Sequence, residues 1–147
     1  MEEEDMKLKA LVKHLGCEPD EVEQSYYDDN TFEYGREEYL VLTDEEADDT
    51  AKERIEDSLW AFNTDFLRQF LPEPTQNHAE EILAPLREKC EDANEAIKAL
   101  VNWDENSSDI VEEAIMLDGR GHFISSYDNE ENEIVIDGTY FYIYRVN

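Results

Sequence analysis

Residues 43–71, TDEEADDTAKERIEDSLWAFNTDFLRQFL, constrain the fold more than any other stretch. Thr43 suits an N-cap, and Glu46 three residues on completes a capping box. Asp44, Glu45 and Glu46 fill the first turn, where unpaired backbone N–H groups favour negative charge. Ala47, Ala51, Ile55, Leu59, Phe62, Phe66 and Phe70 recur every three to four residues. That period predicts one helix with a buried face. Pro72 and Pro74 stop it. The wetter side carries Glu45, Asp48, Asp49, Glu53, Glu56 and Asp57, so one element supplies both a core face and an acidic face.

The flanking segments fill in the fold. Residues 2–15 read as a helix with an apolar stripe of Met6, Leu8, Ala10, Leu11, Val12 and Leu15, closed by Gly16. Pro19 opens a short second helix reaching about Ser25. Residues 26–30 read as a turn, and residues 31–34 and 38–42 form a hairpin around Gly35. Residues 75–101 keep a helical period through Ile82, Leu83, Leu86, Cys90, Ile97 and Leu100, with a kink or a true start expected at Pro85. The short connection predicts antiparallel pairing of the two long helices. A turn over 103–107 precedes a third helix, capped by Ser107 or Ser108, with Ile110, Val111, Ala114, Ile115 and Leu117 buried. Strands follow at 122–127, 133–136 and 139–146, the last two joined by the hairpin signal Asp137–Gly138. The expected fold is α+β. A mostly antiparallel sheet, made of an N-terminal hairpin and a C-terminal three-stranded meander, packs against two long helices and shorter ones. All 147 residues are expected in one compact acidic domain.

Charge sets the functional argument. Forty acidic side chains face twelve lysines and arginines, for a net charge of −28. Direct nucleic-acid binding is disfavoured, because the phosphate backbone repels such a surface. A basic protein is the favoured partner. The acids run through folded segments and do not form a detachable tail: Tyr26, Tyr27, Phe32, Tyr34 and Tyr39 are interleaved with them. Helical carboxylates four residues apart lie about 6 Å apart along the axis. Rigid rows at such spacing offer a phosphate-reading protein a surrogate backbone. The rows are Glu45–Asp49–Glu53–Glu56 and Glu81–Glu88–Glu91/Asp92–Glu95, extended by Asp28, Asp29, Glu33, Glu37 and Glu38.

Catalytic signatures are missing. His14, His78 and His122 are scattered, and none sits in an HExxH motif. Asp128, Glu130 and Asn132 alternate like the start of a calcium loop, but the sixth-position glycine and twelfth-position glutamate do not follow. The segment reads as a solvated hairpin turn. In Asp118–Gly119–Arg120–Gly121–His122, Arg120 and His122 are candidates for a small anion site. The alternative is a helix C-cap and a tight turn into a strand, with Arg120 paired to a neighbouring acid. Cys17 and Cys90 carry no nucleophile signature and suit a reducing cytosol. The acidic N-terminus lacks a signal-peptide core, and no apolar run is long enough to cross a membrane. Expected, then, is a cytoplasmic, non-enzymatic protein with no cofactor and no metal.

The segment 34–56 with EEYLVLTDEEAD at its heart, the nearby SLWAF, GRGHFISSYD and the closing FYIYRVN resemble a kind of small protein carried by phages and mobile elements. In charge style the chain also resembles acidic anti-restriction and anti-CRISPR DNA mimics. That resemblance implies a target among restriction enzymes, CRISPR effectors or DNA-repair proteins. Four readings follow: an inhibitor that blocks a nucleic-acid-binding protein or nuclease by DNA mimicry, a structural or assembly accessory protein of a phage or mobile element that binds a basic partner, a halophile protein with an adapted surface, and an enzyme without a legible motif. Lys7, Lys9, Lys13 and His14 make the one locally basic spot. With the tyrosines of the last strand, they offer a surface for a homodimer.

Overall fold

A computed structural model describes residues 2–26 and 28–147; Tyr27, counted above among the interleaved aromatics and within the 26–30 turn, lies outside the described residues. The chain is α+β. It divides into two compact units, residues 1–51 with 118–147 and residues 52–117.

The first unit holds a five-stranded antiparallel sheet in the order β1-β2-β3-β5-β4. Its strands are β1 (Val22–Gln24), β2 (Thr31–Tyr34), β3 (Glu37–Leu42), β4 (Asn132–Ile136) and β5 (Thr139–Arg145). The two hairpins expected from the sequence are thus one sheet, joined where Val41 pairs with Ile143 and Leu40 with Tyr144. Helix α1 (Glu3–Leu15) lays Ala10 and Leu11 on one face of it, against Val22, Phe32, Tyr39, Val41, Phe141 and Ile143. Gly16, at φ 69°, ends α1 in the left-handed region that a side chain resists.

Two segments of this unit differ from the sequence reading. The helix expected from Pro19 is a 3-10 turn, Pro19–Glu21, closed by a Glu18/Glu21 capping box. Residues Val22–Gln24 leave it as the edge strand β1, because Val22 has an apolar cluster to join. The strand expected at 122–127 is the helix α8 (Arg120–Ile124). Gly119, at φ 86°, breaks the preceding helix, and tertiary contacts then override the local strand preference.

The second unit is helical among its described residues. The boundary falls within α2 (Asp44–Asp57), which opens on the expected capping box: the Glu46 amide donates to Thr43 Oγ1 at 3.2 Å, and the Thr43 amide donates to Glu46 Oε1 at 2.9 Å. The long helix predicted to Leu71 breaks at Ser58 into a 3-10 turn, Leu59–Ala61, and then α3 (Thr64–Arg68). Ser58 turns its hydroxyl back onto the Arg54 carbonyl at 2.7 Å, and Asn63 caps α3 by accepting the Phe66 amide at 2.8 Å. Asn94 meets the groups freed by the break, donating to the Glu56 carbonyl and accepting the Trp60 amide. The second predicted long helix is likewise three pieces: α4 (Glu73–Gln76), α5 (Ala79–Lys89) and α6 (Ala93–Leu100). Pro85 lies inside α5, and the break comes at Cys90, whose backbone is extended. Helix α7 (Trp103–Asp118) starts before Ser107, because Asn102 at φ 52° turns the chain and accepts the Glu105 and Asn106 amides. Trp103, Ile110 and Ala114 are its buried residues, whereas Leu117 is exposed.

Candidate functional site

Three acids line up on the sheet. Register places Glu33 of β2 directly opposite Glu38 of β3 and, on its other side, Glu23 of β1. Three glutamates therefore stand in line across three neighbouring strands, on the face opposite Phe32 and Tyr39. Directly paired residues have Cβ atoms about 4.5–5.5 Å apart. Glu23 and Glu33 are exposed and Glu38 is half-buried. Among the described residues no lysine, arginine or histidine forms an ion pair with any of the three. Glu23 escaped the sequence reading because its strand read as a helix end.

The remaining predicted positions divide by what they touch. Asp29 is exposed, and a hydrogen bond with it pushes the Glu4 carboxyl above the usual range. Asp28 is structural: it accepts the Asn30 and Thr31 amides and the Thr31 hydroxyl, closing the turn into β2. Glu37 is held by Arg145 at 3.3 Å and accepts the Tyr39 hydroxyl at 2.8 Å. Glu45 and Asp49 are exposed on the first-unit part of α2, and Glu53 on the second-unit part. Glu56 is neutralised by Lys98 at 2.8 Å, and that bond raises the lysine's pKa. Glu81 meets His78 at 3.3 Å, and Glu95 meets Lys98 at 3.8 Å. The row expected along one helix is interrupted. Glu81 and Glu88 lie on α5, Glu91 and Asp92 in the break, and Glu95 on α6.

Arg120 settles the candidate anion site. Its side chain is 10% exposed and meets three carboxylates: Asp44 at 2.9 Å, Asp48 at 2.8 Å and Glu131 at 2.6 Å. Its guanidinium also stacks over Tyr142, 4.6 Å from the ring centre. Burial works against the charge, but Glu131, Asp44 and Asp48 more than offset it and hold Arg120 firmly protonated. The Tyr144 hydroxyl donates to the same Glu131 oxygen. Burial, and then that carboxylate, push the tyrosine's pKa far up. Three carboxylates take the place of an anion at this guanidinium, as the paired alternative expects. Arg120 is a structural hub that leaves the exposed carboxylates elsewhere without this counter-charge.

Other chemistry is sparse. Among the described residues no group of three or more His, Cys, Asp or Glu side chains is placed to hold a metal ion. Asp128, the first residue of the calcium-like alternation, accepts the Ser125 hydroxyl and the Glu130 amide. Both cysteines are free and half-buried; burial and Glu21 push the Cys17 thiol up. Among the described residues no helix is long and apolar enough to cross a membrane. Comparison with family models, curated proteins and solved structures finds no match.

Proposed function

We propose that this chain is a non-catalytic binding protein that blocks a nucleic-acid-binding protein or nuclease by presenting carboxylates in place of phosphates. The observation that carries the reading is the Glu23–Glu33–Glu38 ladder. Like charges directly opposite on a sheet destabilise it. A cationic partner removes that repulsion, so binding gains from a strain the free protein carries. The spacing supports the same reading. Duplex DNA carries one phosphate per roughly 3.4 Å of axis on each strand. The steps here are about 4.5–5.5 Å on the sheet and about 6 Å between Glu45 and Asp49 on α2, the same order. Sheet backbone fixes the ladder, so a partner that touches several phosphates meets several carboxylates at once.

The test is capture from a bacterial lysate at about 0.15 M salt, followed by challenge of each captured protein with duplex DNA. The Glu33→Gln/Glu38→Gln variant is run in parallel. One dominant nucleic-acid enzyme, displaced by DNA and lost with the variant, supports the reading. A spread of basic proteins stripped by modest salt and equally captured by the variant overturns it.

A further inference from the structure

In the second unit a groove of about 480 Å³ is lined by the segment that follows α3 and by residues around the joint of α6 and α7. That volume is in the range of small-ligand sites. Its polar side chains are the carboxamides of Gln69, Asn102 and Asn106 and the carboxylate of Asp109, with no cation among them. Two of the carboxamides have an orientation fixed by what they touch. Gln69 Nε2 donates to the Phe66 carbonyl at 3.1 Å, and Asn106 Nδ2 donates to the Val101 carbonyl at 2.8 Å. Only the nitrogen of a carboxamide can serve a carbonyl, so Gln69 Oε1 and Asn106 Oδ1 are the ends left over. Neither oxygen accepts a hydrogen bond among the described residues. Asn102, Asn106 and Asp109 follow one another at spacings of four and three, which sets them on one face of α7 and the turn that opens it. Asp109 is exposed, and among the described residues no lysine, arginine or histidine pairs with it.

We infer that this groove holds the guanidinium of an arginine side chain carried by a partner protein or peptide. A ligand for a carboxylate and unclaimed carboxamide oxygens must be cationic and must donate several hydrogen bonds. A guanidinium offers five donors in one plane and stacks on aromatic rings, whereas an ammonium is a compact, strongly hydrated point charge. Asp109 takes the charge-assisted hydrogen bonds, the free oxygens of Gln69 and Asn106 take further donors, and the half-buried Phe70 ring offers a surface for the plane. The start of α7 does not recruit an anion instead. The Glu105 and Asn106 amides already donate to the Asn102 carbonyl, and Asp104 and Glu105 add negative charge to the first turn. Charge also selects the source of the guanidinium. Free arginine brings an α-carboxylate into the field of a chain at −28, and an arginine within a polypeptide does not. The groove is independent of the glutamate ladder, whose residues belong to the other unit.

The test is an NMR titration of the full chain with N-acetyl-arginine amide in about 0.15 M salt, which screens diffuse attraction to surface acids. The readout is the side-chain amide resonances of Gln69, Asn102 and Asn106. Saturable shifts at these three are expected. The matching lysine and citrulline amides, the second an uncharged isostere, should bind at least about tenfold more weakly. Asp109→Asn, at an exposed position, should weaken arginine-amide binding by at least about tenfold. Asp104→Asn removes the same charge from α7 outside the groove and should leave binding intact. Shifts spread over the acidic surface without saturation, an equal response to the lysine amide, or an unaffected Asp109→Asn would each overturn the inference. Free arginine binding as tightly as the amide would overturn the assignment to a partner's side chain. Glu33→Gln/Glu38→Gln should keep the groove's response, so failure of this site and failure of the mimicry reading are told apart.

Discussion

The Lys7 ammonium lies 2.7 Å from Glu46 Oε1, the same oxygen that accepts the Thr43 amide at the start of α2. One carboxylate oxygen thus closes a helix cap and neutralises a lysine that is 2% exposed. Asn30 accepts from the same ammonium, and Glu3 stands at 3.4 Å. Glu46→Gln removes the main counter-charge from a buried cation. It should cost about 2–3 kcal/mol, below the 3–5 kcal/mol of a fully buried pair because Glu46 is partly solvated. Burial pushes the Glu46 carboxyl up, but Lys7 and Thr43 more than offset it, and the pKa lies below the usual range. Such a carboxyl stabilises the fold above its unfolded pKa of about 4.3 and loses that contribution as pH falls through the folded value. Urea titrations should therefore show a gap between wild type and Glu46→Gln that is constant near neutrality and narrows below about pH 4. A gap unchanged in acid would refute the ion-pair assignment.

At the alkaline end the sign reverses. Burial, then the hydrogen bond to Glu37, push Tyr39 up to about 12. Its neutral form is the one the fold favours, so the contribution is complete below the unfolded value of about 10 and is lost as pH rises through the folded one. Tyrosinate absorbance should resolve a late class, Tyr39 among it, that ionises with unfolding. Tyr39→Phe should reduce the late class and raise the pH of alkaline unfolding. An unchanged midpoint would show that Tyr39 does not govern it.

Gly121 permits the Arg120 hub. A Cβ there would stand 2.7 Å from the Glu130 carbonyl carbon and 2.8 Å from both Asn129 O and Glu131 N, all backbone atoms. Gly121→Ala must move the loop that presents Glu131 to Arg120 and Tyr144. A loss of about 1–3 kcal/mol is expected from such overpacking. Chemical denaturation measures it, and a loss within error of zero would mean that the loop yields freely.

How much of this was legible follows from the reach of each interaction. The Thr43–Glu46 box, the Asp137–Gly138 turn and the Gly16 stop are local, and each is found where the residues place it. The breaks at Ser58 and Cys90 were not read, because an unbroken apolar period ran across them. What ends α2 in space includes Asn94, a side chain 38 residues from the Glu56 carbonyl it caps. The sequence places a helix end at β1 and a strand at α8 for the same reason: Val22 and Arg120 answer to partners far along the chain. The acidic candidates are legible as surface positions, but not which of them pair. Glu37 and Glu56 spend their charge on Arg145 and Lys98, while Glu33 and Glu38 meet each other.

Phe62 tests the broken helix. A continuous helix through Phe70 would bury it fully, and truncation would then cost about 3–5 kcal/mol. It is half-buried instead, stacked on Phe66 with ring centres 4.8 Å apart, whereas Leu67 is fully buried. Phe62→Ala should cost about 1–2 kcal/mol and Leu67→Ala about 2–5 kcal/mol. The reverse order in thermal or urea unfolding would restore the continuous helix.

The glutamate ladder makes the sharpest prediction, because stability and binding should move in opposite directions. Glu33 is flanked by Glu23 and Glu38, so Glu33→Gln removes two repulsions with one substitution. Cross-strand pairs are worth about 0.2–1 kcal/mol each, and relief of this order should raise the unfolding free energy. The gain should shrink in high salt, which screens exposed charges. If the ladder is the binding surface, the same variant loses affinity for the basic partner. A substitution that stabilises the free protein and weakens its complex is not expected of a residue retained for the fold alone. Were Glu33→Gln to destabilise the sheet, the glutamate would have an attractive partner and the mimicry argument would lose its main support.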